Sequence, residues 1–310
     1  MRKQTQGWGA VEQPEQHYLV EPRGLAGGGD LRHVSEFLRA SGWRDKSKTG
    51  GPLVMESPDR TMRVGYDPFV LPGGWTIHGK ANGHQHEWWA VLGRQTPVEV
   101  VAGLTDALTQ PRSAHAPNVW APLQEQRWRH DPHAGHPTVT SPDGSAWMQY
   151  HQAAGGNAMW SSGAKDQQGN GWSAQFTAST PMHLVQAFST ALSSPEPVMR
   201  PLGRVPHSAQ IRTTSVSVLP SQLRAWQQAR ITAARATAWA RSTTRASRPR
   251  TAAAPMPPAP VPAAEPEESD ARTHPGIRPC RDGDAVPSDR IPARQARPPG
   301  GVRPRRAAAR

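Results

Sequence analysis

Residues 57–111 read SPDRTMRVGYDPFVLPGGWTIHGKANGHQHEWWAVLGRQTPVEVVAGLTDALTQP, and residues 141–195 read SPDGSAWMQYHQAAGGNAMWSSGAKDQQGNGWSAQFTASTPMHLVQAFSTALSSP. Laid over one another at an offset of 84, without a gap, they agree at thirteen of fifty-five positions. The agreements include Ser57-Pro58-Asp59 with Ser141-Pro142-Asp143, Tyr66 with Tyr150, Gly79 with Gly163, Trp88 with Trp172, and Thr96-Pro97 with Thr180-Pro181. Self-similarity that keeps Trp and Pro in register is the mark of a duplicated structural unit. Upstream, Trp43 and Trp128 correspond once one residue is inserted.

The unit reads as a small α+β module. Asp30 is placed to cap a helix over 31–40, with Val34, Phe37 and Leu38 on one face and Gly42 as its stop. Ser-Pro-Asp is a turn signal, because Pro presets φ and Asp bonds its own backbone. It separates strands predicted at 53–56 and 61–66, and in the second Met62, Val64 and Tyr66 alternate to one side. Two further strands are predicted at 75–78 and 87–92. Thr96-Pro97-Val98-Glu99 then reads as a capping box, with Pro97 at the first helical position. Val98, Val101, Leu104 and Leu108 supply that helix with an apolar stripe, and Met182, Val185, Phe188 and Leu192 repeat it. In the second copy Pro122 leaves only a short helix over 123–127.

The fold class expected is therefore α+β: two tandem α-β-β-β(β)-α modules, a basic helix and a disordered tail. The boundaries are a flexible N-terminus at 1–16, modules at 17–112 and 113–198, a linker at 199–219, the helix at 220–245 and the tail at 246–310.

Charge divides along the same line. The chain has 310 residues, 36 Lys+Arg against 24 Asp+Glu, and a net charge of +12. Residues 1–199 are nearly neutral, whereas residues 200–310 hold 20 Arg, no Lys and 7 acids. An asymmetry of this kind points to a basic arm that meets a polyanion; a GC-rich genome would give the same Arg, Ala and Pro bias. Arg224, Arg230, Arg235, Arg241 and Arg245 on the helix, and Arg303, Arg305 and Arg306 in the tail, are the candidate contacts to DNA or RNA. On a helical wheel the arginines of 221–245 scatter, as do Leu223, Trp226, Ile231 and Trp239, so a solvated helix is expected. Beyond residue 246 there is too little bulky apolar side chain to bury a core.

Single-copy features argue against chemistry. The one cysteine, Cys280, makes neither an internal disulfide nor a Cys-based zinc site. His130, His133 and His136 have spacing that could hold a divalent ion, but Pro132 and Gly135 oppose a rigid helix there. His78, His84 and His86 face Ser162, Gln168 and Asn170 in the second copy, so the scaffold recurs without them. Gly27-Gly28-Gly29 lacks a Walker lysine and reads as a flexible lead-in. No catalytic residue, metal or cofactor is expected, and the chain is read as a non-enzyme.

Ten of the twelve Trp precede residue 200. Trp88 and Trp172, kept in both copies, read as core. Trp75, Trp89, Trp147 and Trp160, matched by nothing in the gapless comparison, are equally open to core or to base stacking.

Several of these features occur together in one family. They are the doubled Ser-Pro-Asp, Gly42-Trp43, the Trp-x-Ala strands Trp88-Trp89-Ala90 and Trp172-Ser173-Ala174, and the Thr-Pro helix starts. With the opening at 18–30, YLVEPRGLAGGGD, the chain resembles the DUF317 (SPDY-domain) proteins of streptomycetes and related actinobacteria, which usually carry two copies. The likeness covers about residues 17–198. The fourth residue of the SPDY motif is Arg60 in one copy and Gly144 in the other. The resemblance implies a bacterial, cytoplasmic, two-module protein and brings no established activity or site. Residues 1–16 show no apolar h-region and no window suits a membrane span, so the expected compartment is cytoplasmic. Two functions are carried forward: a nucleic-acid-associated accessory protein using its Arg-rich C-terminal region, and a protein-interaction scaffold built from the two modules.

Overall fold

A computed structural model describes residues 12–70, 73–83, 85–110, 115–131, 136–152 and 158–246, with side chains as far as residue 241. Residues 1–250 group as one compact unit. The tail expected from 246 onward falls almost wholly outside the described residues.

The first module contains α1 (Arg32–Ala40), strands β2 (Arg44–Asp45), β3 (Leu53–Glu56), β4 (Met62–Asp67), β5 (Gly74–Gly79) and β6 (Trp88–Gly93), and α2 (Val98–Ala107). The second repeats it as α3 (Ala121–Glu125), β7 (Arg129–His130), β8 (Thr138–Thr140), β9 (Ala146–Gln152), β10 (Ala158–Lys165), β11 (Gly171–Thr177) and α4 (Met182–Ser193). Among the described residues each module holds five strands. The additional pair, β2 and β7, is two residues long, too short to leave a period in the sequence.

The modules are not merely neighbours. Their strands form one antiparallel sheet of ten, in the order β2-β3-β4-β5-β6-β11-β10-β9-β8-β7. At its centre Leu92 pairs with Ala174, Val91 with Gln175 and Ala90 with Phe176. Val91 and Gln175 are equivalent positions, so a local twofold axis passes between them. The helices lie on one face, over a continuous core that includes Met55, Val64, Ile77, Ala90, Phe176 and Trp160. On that side α2 and α4 cross where Gly103 leaves room for Ala191: a Cβ at 103 would lie 2.4 Å from the Ala191 Cβ.

Strand register corrects the gapless repeat. Trp75 pairs with Tyr66 and Trp160 with Tyr150, which makes the two tryptophans equivalent at an offset of 85. Both are buried, and each packs on its tyrosine with ring centroids 4.9 and 4.8 Å apart. The partner of Gly79 is then Ala164, not Gly163. One residue more between β9 and β10, and one fewer between β10 and β11, hid this.

The Ser-Pro-Asp turns are built alike. The Ser57 hydroxyl donates to Asp59 (2.6 Å) and accepts from the Met62 amide (2.9 Å); Ser141 does the same with Asp143 and Ala146 at 2.5 and 2.9 Å. The fourth turn residue, Arg60 or Gly144, has positive φ. Asp30 accepts from the Arg32 amide at the head of α1, as expected of a cap. The capping box at Thr96 does not form. Pro97 precedes α2 without a side-chain cap, the Thr96 hydroxyl has no partner among the described residues, and Glu99 is drawn away to Arg200. Met182, expected in the α4 stripe, is 39% exposed.

The linker expected at 199–219 is structured. β12 (Val198–Pro201) and β13 (Arg212–Val218) flank β1 (Glu15–Glu21) in a separate antiparallel sheet, ordered β12-β1-β13. The start of the chain, expected to be flexible to residue 16, supplies the middle strand. Each strand needs the distant others to satisfy its backbone groups, so no local pattern announces it.

The basic helix exists as α5 (Pro220–Ala246), but it docks on α1 instead of standing in solvent. Its inward positions, Leu223, Gln227, Arg230, Ile231, Ala234, Ala238 and Arg241, recur at helical spacing. Most are small or polar, so the stripe is not an apolar one.

Candidate functional site

The eight arginines expected to meet a polyanion separate into three groups. Arg230 makes a two-pronged ion pair with Asp106 (2.7 and 2.8 Å), and its guanidinium lies 4.4 Å above the Phe37 ring. Burial pushes the Asp106 carboxyl up, against the pull of Arg230. Arg241 donates to the Thr109 carbonyl, and Arg224 pairs with Glu12 at 3.0 Å. These three serve the fold. Arg235 is exposed. The Arg245 side chain and Arg303, Arg305 and Arg306 lie outside the described residues.

The described members of the histidine clusters do not form a metal-binding group. His136 and His151 approach at 3.3 Å between Nδ1 atoms, while His130 pairs with Val139 on the opposite face of the sheet. His133 and His84 are outside the described residues, and His78 binds Glu87 (2.5 Å). Among the described residues no group of three or more His, Cys, Asp or Glu could hold a metal ion.

Two surfaces remain. The first is the face of the ten-stranded sheet turned away from the helices. At its centre Thr76, Val91 and Gln175 form one row across β5, β6 and β11, beside Trp89 and Ser173. All five are exposed, Trp89 at 39%. Period-2 alternation explains it: Trp88, Ala90 and Leu92 are buried, so Trp89 and Val91 face outward. At the two ends of the sheet stand Arg44 and Arg129, equivalent residues that each follow a buried Trp, Trp43 or Trp128. Trp226 and Trp239 on α5 are also exposed, at 56% and 70%.

The second is a cleft of about 1320 Å³ on the helix side, bounded by the glycine strap, the start of α2, the β10–β11 turn and the 199–211 segment. The strap is not a loose lead-in. The Gly28 carbonyl accepts from the Val98 amide (2.6 Å), capping α2, and the Ala26 and Gly27 carbonyls accept from Arg200 at 2.9 Å each. A Cβ at Gly29 would lie 2.7 Å from Val98, so the close approach requires glycine. Arg200 also holds both oxygens of Glu99, at 2.7 and 2.8 Å. Burial alone would raise the Glu99 carboxyl, but Arg200 keeps it below its ordinary value. Sequence reasoning missed Arg200, which sits in the supposed linker.

These features define a pseudo-symmetric two-layer α+β body, with helices on one face of a shared sheet and an open face of mixed polar and apolar side chains on the other. Residues 56–114 and 140–198 each match the SPDY domain, a domain of unknown function (DUF317), so the chain carries two tandem copies of it. No curated protein and no solved structure matches the chain. Among the described residues no helix is long and apolar enough to cross a membrane.

Proposed function

We propose that this is a non-enzymatic accessory protein that binds single-stranded nucleic acid on the open face of its sheet, with the Arg-rich C-terminal region adding phosphate attraction. The observation that carries it is Trp89, exposed at the middle of a broad sheet face among Thr76, Val91 and Gln175. Stacking of one base on an exposed aromatic ring contributes about 1–3 kcal/mol and needs no particular base. Arg44 and Arg129 at the sheet ends (Arg129 also donating to the Pro142 carbonyl at 2.8 Å), with the twelve arginines beyond residue 246, supply charge complementary to a phosphodiester chain. Because Arg224, Arg230 and Arg241 are engaged within the chain, the reading rests on the sheet face and the tail more than on α5.

The test is a fluorescence titration of the full chain with single-stranded DNA, RNA and duplex DNA at two salt concentrations. Single strands are expected to bind more weakly as salt rises, and Trp89→Ala to weaken them about tenfold. Binding that ignores both salt and Trp89, or no binding at all, would sink the idea.

A second reading, a protein-interaction scaffold, draws on β13. Among the described residues it is an edge strand, with its outer row of backbone groups unpaired by any other strand, and five of its seven residues are exposed. A partner captured in the nucleic-acid-free state and lost on placing Pro at Ser215 would favour it.

A further inference from the structure

The cleft on the helix side carries an inference beyond that reading. Its acids are already committed. Asp30 is paired with Arg32 (2.6 Å), Glu99 with Arg200, and Asp166 accepts the amides of Gln168 and Asn170 at 3.0 and 2.8 Å. Arg94 and Arg204 are exposed in the same cleft and make no ion pair among the described residues. In the lining Arg32, Arg94, Arg200 and Arg204 outnumber Asp30, Glu99 and Asp166 by one. His33, also there, is pushed down to about 4, first by burial and then by the charge of Arg230, while Glu99 and Asp30 pull the other way. Two free guanidiniums beside committed acids suit a phosphate, which they can grip with paired N–H donors. Tyr66, Trp172 and Ile211 also line the cleft and give it an aromatic and apolar part.

The site is built, and it is built once. Its floor is pinned by Arg200, and its rim is a strap whose glycines leave no space for side chains: a Cβ at Gly27 would lie 2.9 Å from Pro206. The segments that enclose it, 23–33 and 199–211, lie outside the matched domains. The position equivalent to Arg94 in the second copy is Ala178, so that cation stands only where the cleft is.

We propose that this cleft binds a nucleoside monophosphate, with Arg94 and Arg204 on the phosphate and Tyr66, Trp172 and Ile211 beside the ring. Its volume exceeds the few hundred Å³ of a closely fitted pocket, which leaves such a ligand partly solvated. The cleft is on the opposite side of the sheet from Trp89, so the two sites are separable.

The experiment is calorimetric titration of the full chain with AMP, GMP, CMP and UMP, and with adenosine, ribose 5-phosphate and inorganic phosphate as fragments. At least one nucleotide is expected to bind one-to-one, and its fragments at least tenfold more weakly. Arg94→Ala and Arg204→Ala, both at exposed positions, should each weaken the nucleotide about tenfold, while Trp89→Ala leaves it unchanged. The proposal is overturned if no nucleotide binds, if a fragment binds as well as the whole, or if the double arginine variant binds normally. None of these outcomes depends on polynucleotide binding, so the sheet-face reading stands or falls separately.

Discussion

Arg200 joins parts of the chain that are far apart in sequence. Its side chain is 3% exposed, and it satisfies two strap carbonyls, the Met199 carbonyl and the Glu99 carboxylate. Arg200→Ala would take the guanidinium from a carboxylate that is only 23% exposed and from the two strap carbonyls and the Met199 carbonyl. Loss of one partner of a buried pair costs about 3–5 kcal/mol, so denaturant unfolding of the variant should show a loss of that size; a loss under about 1 kcal/mol would mean water replaces the guanidinium. None of this was legible in the sequence. Arg200 lies among Pro, Ser and Thr, and Glu99 already had a local explanation as the third residue of a helix. Turn chemistry was the legible part: a Ser-Pro-Asp turn closes on itself within six residues, so its residues could be assigned without knowing the fold.

At the scale of the element, Gly103 sets the distance between α2 and α4. Alanine there would improve helix propensity by about 1 kcal/mol. It would also put a methyl 2.4 Å from the Ala191 Cβ, which cannot rotate away. Overpacking costs about 1–3 kcal/mol, so Gly103→Ala should lower the denaturant midpoint. An unchanged or raised midpoint would show that the helices slide apart freely. The helices themselves were legible because amphipathic spacing is local: α1, α2 and α4 lie within two or three residues of the expected spans. α5 was legible as a helix but not as a docked one, since its inward stripe includes Gln227, Arg230, Ala234 and Ala238. The same polar stripe turned Arg230 and Arg241 from candidate ligand contacts into ties to the first module. Trp75 and Trp160 illustrate a different difficulty: a one-residue shift in a loop hides equivalence that register restores at once.

The molecule as a whole depends on the β6–β11 pairing and the α2–α4 crossing, which together make one core from two modules. Separation at 112/113 would open a sheet edge and expose Leu104 and Phe188, both fully buried in the whole chain. Fragments 1–112 and 113–310 are therefore expected to be unfolded or self-associated when purified apart, and to recover native circular dichroism and a single one-to-one species when refolded together. Two well-folded monomeric fragments would contradict the shared core. The duplication could be seen in the sequence, but the continuity of the sheet could not, because edge pairing is made by backbone groups that every residue carries. The axis between Val91 and Gln175 has a historical consequence. A joint in which equivalent positions meet is the one a single-copy ancestor would have formed with its own twin. In such a homodimer every mutation is made twice, and each must suit both sides of the axis. Fusion into one gene ends that obligation. Trp89 opposite Ser173, and Arg94 opposite Ala178, are substitutions that an ancestor of identical halves could not have made on one side alone.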